Sequence, residues 1–163
     1  MTYRITDSVV GSQAIASTST TQNHELGKIV RATDPTYGSG EFIYLQGAAN
    51  TAVGSWVTYN ADDWTTTLLA ANAIGPVAVA MSANVASGYG WYQISGKAVG
   101  KCKTSYADNA RAWCTSTAGS VDDASVAGDG ISNVKGASAT VADSGVADFE
   151  IERPWVDDRT SFS

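Results

Sequence analysis

Apolar and polar positions change over short distances along this chain. From Glu25 onward the runs "KIVRA", "EFIYLQ", "SWVTYN", "TTLLAA" and "PVAVAMS" are separated by turn chemistry such as "TDPTYGSG". Short runs rich in Val, Ile, Tyr and Trp, bounded by Gly, Pro, Asn and Asp, predict strands. "LLAANA" can form one helical turn, but Gly75-Pro76 ends it at once. Many strands without a long helix predict an all-β sandwich or barrel. Residues 1–24, which include "GSQAIASTSTTQNH", are polar, small and aperiodic, and predict an extended or disordered arm. Residues 157–163, "DDRTSFS", read as a loose tail.

A shift of 57 positions lays the second half of the chain on the first. Trp56 then meets Trp113, Ile74 meets Ile131, Val77 meets Val134, Ser87 meets Ser144 and Ile94 meets Ile151. Leu69/Val126 and Tyr92/Phe149 are conservative matches in the same register. The pattern predicts one domain over 25–156 built from two β units, 42–98 and 99–155. Each unit has about five strands and needs the other to cover its apolar face.

The repeat also sorts the aromatic stretch "GYGWYQISG". Tyr92 and Ile94 match Phe149 and Ile151, so their side of the strand is expected to face the core. Trp91, Gln93 and Ser95 point the other way, where the second unit carries Asp148, Glu150 and Glu152. A tryptophan in register with an acid is expected on the surface as a subunit contact. The alternative is local cover under a loop.

Length and charge narrow the function classes. The 163 residues carry a net charge of −6, and Lys97, Lys101 and Lys103 are the densest basic group. Phosphate neutralisation needs more clustered Lys and Arg than that, so a nucleic-acid role is not expected. No apolar run approaches the ~20 residues of a membrane span. The first twenty residues lack a signal peptide's continuous apolar region, which predicts a chain kept in the cytoplasm until assembly or lysis.

Candidate chemistry is sparse. Asp62-Asp63, Asp122-Asp123 and Asp157-Asp158 are paired carboxylates, but neighbours in a strand face opposite ways and in a turn both face water. "DDASVAGDG" lacks the ligand alternation of a calcium loop. His24 is the only histidine, stands at the junction of arm and domain, and reads as a surface residue rather than a base. Cys102 and Cys114 match Leu45 and Val57, strand apolar positions, and are expected as buried free thiols. No catalytic, cofactor or metal site is expected.

Three short motifs add a resemblance. Gly88-Tyr89-Gly90-Trp91, then Gly96-Lys97-Ala98, then Ser116-Thr117-Ala118-Gly119, within residues 25 to 156, resemble the decoration (cement) proteins of tailed-bacteriophage heads. That resemblance implies a small β-barrel or β-tulip, often a homotrimer, seated on the outer capsid surface of the virion against the major capsid protein. It also implies an N-terminal arm that adds itself to neighbouring subunits. The tail "RPWVDDRTSFS" has no counterpart in that pattern. In the arm, "TYRITDSVV" can add a strand through alternate side chains. Tyr3, Ile5, Val9 and Val10, with Trp91, are the expected capsid or subunit contacts. A different class, a carbohydrate- or receptor-binding β domain, is the alternative.

Overall fold

A computed structural model describes residues 1–140 and 145–159. The short β-branched and aromatic runs form β1 (Arg4–Ile5), β2 (Ile29–Asp34), β3 (Gly38–Gln46), β4 (Trp56–Tyr59), β5 (Thr66–Leu68) and β6 (Ile74–Ala80). They continue as β7 (Tyr89–Lys101), β8 (Ala112–Cys114), β9 (Val121–Asp122), β10 (Gly130–Gly136) and β11 (Val146–Asp157). No helix occurs among the described residues; "LLAANA" leaves β5 and turns at Asn72, φ 61°. The strands form one antiparallel sheet in the order β1-β2-β3-β7-β6-β11-β10-β8-β9, with β4 on β6 and β5 on β4. The all-β class is as expected. The sheet curls but stays open, because the two-residue strands β1 and β9 at its ends do not pair.

The centre of the sheet is an exchange of edges among β6, β7 and β11. Along one edge of β7, Tyr92 and Gln93 face Ala80 and Val79 of β6, and from Ser95 to Lys101 the same edge faces Glu152 to Val146 of β11. Beyond that point β11 passes to β6, with Trp155 opposite Pro76 and Val156 opposite Gly75. The chain bends where the partners change. Gly96 holds φ 101°, and a Cβ there would lie 2.6 Å from the Ser39 carbonyl oxygen, so only glycine fits. The buried Gln93 amide donates to the carbonyls of Ser95 (3.1 Å) and Lys97 (3.2 Å), bracketing that bend. On β11 the bend falls at Arg153 (φ 47°) before Pro154, which has no N–H for the ladder. Opposite it, β10 shifts register between Ser132 and Val134, around Asn133 at φ 59°.

Strands at corresponding positions 57 apart have similar connectivity: β6 and β7 form one antiparallel pair, β10 and β11 another. Their outer partners sit in different registers, Trp56 opposite Val79 in one unit and Trp113 opposite Gly130 in the other. Trp56 is accordingly buried and Trp113 half-exposed. Ser144, one of the repeat's matches, lies outside the described residues.

Three hydrophobic clusters result. Trp56, Val77, Val79, Tyr106, Phe149 and Ile151 anchor the largest, inside the curl. Ile43, Leu45, Val57, Tyr92 and Ile94 form the second, and Phe42, Tyr44, Trp91 and Ile15 the third. Tyr92, Ile94, Phe149 and Ile151 are therefore all core, as their register predicted.

Residues 1–24 depart from the expected free arm. They carry little regular structure, yet Gln13, Ile15 and His24 are buried and β1 pairs with β2. Asp34 secures the start of the segment. Its carboxylate accepts the N–H groups of Thr2 (2.5 Å), Tyr37 (3.0 Å) and Thr36 (2.7 Å), which hold its pKa below the ordinary aspartate range. Of the expected tail, residues 160–163 lie outside the described residues, while Asp157 ends β11 and pairs with Arg159.

The cysteines are buried and free. Val121 separates them, opposite Cys114 on one side and bridged to Cys102 on the other. Two strand spacings put their Cα atoms about 10 Å apart, beyond the ~7 Å limit for a disulfide. Burial pushes the Cys114 thiol up to about 12 and raises Cys102 as well. Alkylation of the native protein at neutral pH should leave both thiols unmodified, and denaturant should release two. A native mass two hydrogens short of the reduced chain would contradict this arrangement.

Candidate functional site: an aromatic row on the open sheet

Trp155 is the exposed tryptophan of the fold. The bend at Arg153 resets the alternation of β11, so Trp155 stands on the solvent side with 46% of its surface free. Its cross-strand neighbours are Pro76 on β6 and Ser132 on β10. One residue past the Thr58–Val77 pair, the β4–β6 register sets Tyr59 beside Pro76. Tyr59, Pro76 and Trp155 thus form a row across three strands, with about 10 Å between the outer backbones. Ile74, two residues before Pro76, adds a side chain that is 67% exposed.

The row lines a shallow depression of about 610 Å³, whose rim holds Thr58, Asn60, Thr65 and Thr67 and no charged residue. Arg153, the cation that acts on Tyr59, is held by Glu41 at 2.9 Å, and Glu41 also reaches Arg31 at 3.7 Å. Burial raises the Tyr59 hydroxyl pKa, with Arg153 opposing, so the ring is neutral at physiological pH. Beyond Ser132 a second depression, about 690 Å³, crosses β10 and β8 past half-exposed Trp113. It is charged, with Arg111, Lys135, Glu150 and Glu152 on its walls and Lys135 paired to Glu150 at 3.2 Å.

The residues singled out from sequence go elsewhere. Trp91 is a correction: it is fully buried, not on the surface. Its indole N–H donates to the Gln13 carbonyl at 2.9 Å, and its ring packs on Tyr44 at 5.0 Å and His24 at 5.3 Å. The N-terminal segment covers it, whereas Asp148 at the matching position is partly exposed and paired with Lys97 at 3.0 Å. Tyr3, Ile5 and Val9 are half-buried against the same cluster, Tyr3 edge-on to Phe42 at 4.8 Å. Val10 alone of the five is fully exposed. His24 is likewise buried rather than superficial.

The acidic pairs hold turns. Asp63 accepts the N–H and hydroxyl of Thr65, and Asp123 accepts the Ala107 N–H. Asp129 in "GDG" is buried and accepts the Asn72 N–H at 2.7 Å. Among the described residues no three His, Cys, Asp or Glu side chains gather as metal ligands, and no helix is long and apolar enough to cross a membrane.

Sequence reasoning missed Tyr59, Ile74 and Trp155. Pro154 inside a strand was the available signal, because it marks where alternation breaks and the next side chain changes face. No family model, curated protein or solved structure matched the chain.

The two tryptophans should respond in opposite ways to truncation. Trp91→Ala removes a core ring and the bond to Gln13, and should cost about 3–5 kcal/mol in denaturant unfolding. Trp155→Ala should change stability by no more than about 0.5 kcal/mol. Equal losses would place Trp155 in the core.

Proposed function

We propose that this protein is a structural decoration protein of a tailed-phage head, bound to the major capsid protein on the outer capsid surface and bridging neighbouring capsomers, as a homotrimer on the capsid. The observation that carries this reading is the uncharged row of Tyr59, Pro76 and Trp155, extended by Ile74. A strip in which Trp155 and Ile74 stand exposed beside half-buried Tyr59 and Pro76 suits protein docking: it supplies burial without ion pairs, and an exposed aromatic is the usual anchor of such contacts. The resemblance of the Gly88–Trp91, Gly96–Ala98 and Ser116–Gly119 motifs points the same way. The docked N-terminal segment leaves the row free, so the row and not Trp91 is the contact in this proposal.

Expanded empty heads incubated with purified protein should take it up at a copy number near that of the major capsid protein. Trp155→Ala combined with Ile74→Ser should reduce uptake at least about tenfold, the expected result of removing an interface anchor, while the sheet stays folded. Undiminished uptake by the double variant, or no uptake by the wild type, would refute this assignment.

The threonine hydroxyls and the Asn60 amide around Trp155 favour a second reading, a neutral carbohydrate stacked on the row. A glycan array gives a discriminating result: binding lost in Trp155→Ala, without head binding, selects the carbohydrate.

A further inference from the structure

Gln13 uses all of its polar groups, three toward Tyr44, Tyr89 and Trp91 of the sheet and three toward Ser17, Asn23 and His24, which fold the N-terminal segment onto itself. Its side-chain oxygen accepts the Tyr44 hydroxyl (2.8 Å) and the Asn23 amide (2.9 Å), and its side-chain NH2 donates to the carbonyls of Ser17 (2.7 Å) and Tyr89 (3.1 Å). Its backbone carbonyl accepts the Trp91 indole N–H, and its backbone N–H donates to Nε2 of His24 at 3.0 Å. Five of these partners cannot change protonation near neutral pH. The sixth can.

An Nε2 that accepts a hydrogen bond carries no proton, so His24 is the neutral tautomer with its hydrogen on Nδ1. The ring is 9% exposed, edge-on to Tyr44 at 5.0 Å and tilted over Trp91 at 5.3 Å. The groups facing it from the sheet are the Tyr44 hydroxyl, already donating to Gln13, and Tyr89, stacked on Tyr44. On its own segment Lys28 acts on it as a like charge once it is protonated, and Glu25 is exposed to water. Among the described residues no carboxylate pairs with the ring.

We propose that His24 is a proton-operated catch: a proton taken from solvent onto Nε2 turns the acceptor into a donor facing the Gln13 N–H, and the segment around residues 8–24 then lets go of Trp91 while the sheet stays folded. Attraction of the imidazolium to the Trp91 face opposes this. It is weaker than burying a charge beside a clashing donor and Lys28, and the lowered pKa of His24 has the sign that this balance requires. A folded-state pKa below the unfolded one stabilises the closed segment above the ordinary imidazole value and is lost as pH falls through the folded value. Asp34, held below the ordinary aspartate range, stays ionised in that window and keeps its grip on Thr2. The opening therefore uncovers Tyr44 and Trp91 and leaves the start of the chain tethered, with Tyr3 still on Phe42.

Hydrogen–deuterium exchange of the full chain tests this between about pH 7.5 and about pH 5, a range bracketing the ordinary imidazole pKa of ~6.5. After correction for intrinsic rates, protection over residues 8–24 should fall by up to about tenfold per pH unit within the window between unfolded and folded pKa. Peptides from β10 and β11 should keep theirs. His24→Gln retains an acceptor that does not titrate, and should abolish the pH dependence. His24 is the only histidine, so its ring nitrogen resonances in the wild type provide a variant-free readout, which decides the matter if His24→Gln is already open at neutral pH. They should show an unprotonated Nε2 that titrates in step with the exchange. Constant protection, a His24→Gln variant that opens like the wild type, β10 and β11 opening together with the segment, or a ring that titrates without any opening would each overturn the proposal.

Discussion

The exchange of edges among β6, β7 and β11 is the constraint on which the rest depends. Each of these strands gives one edge to both of the others, first one and then the other along its length. That sharing is possible only if each strand bends, and the bends sit at Gly96 and at Arg153-Pro154, where the backbone leaves ordinary strand geometry. Curvature gathers Trp56 and Phe149 into an enclosed cluster without barrel closure. It also turns Trp155 outward, so the exposed aromatic row and the enclosed core have a common origin.

The same exchange leaves an apolar face of β3 and β7 uncovered, and the N-terminal segment covers it. Tyr3, Ile5, Val9 and Ile15 supply the apolar contacts, and Gln13 supplies direction, since its bonds specify one placement that apolar contact alone would leave free. Among the described residues the corresponding face of the second unit has no such cover. Asp148 and Glu150 stand there, paired with Lys97 and Lys135. The two units therefore solved one problem in two ways, by a lid and by polar residues.

That difference explains what the sequence could and could not convey. Strand content, the inward side of Tyr92 and Ile94, and the buried thiols were legible because each follows from short-range alternation or from an apolar match 57 positions away. Trp91 was misread because matching it to Asp148 assumed equal exposure in both units, and a lid contributed from 78 residues upstream leaves no trace in local pattern. His24 was misread for the same reason: a polar junction gave no sign of the rings it would pack beneath. Trp155 was missed because one left-handed residue, Arg153, moved it to the other face. Barrel closure depends on whether the terminal strands meet, and no periodicity encodes that.

The placement of the lid has a consequence for synthesis. Residues 1–24 emerge from the ribosome ahead of the strands they cover, and their seat on Tyr44, Tyr89 and Trp91 is complete only after β7 has emerged. Until then the segment waits as an exposed chain beside strands with unpaired edges, the state in which nascent β proteins aggregate. Its alanines and serines offer little apolar surface there, and its larger apolar residues come in short pieces, Tyr3 with Ile5, Val9 with Val10, and Ile15, separated by polar ones. The composition that reads as disorder is thus suited to the waiting, and a more hydrophobic lid would bind its seat more tightly in the finished protein while endangering the chain before the seat exists.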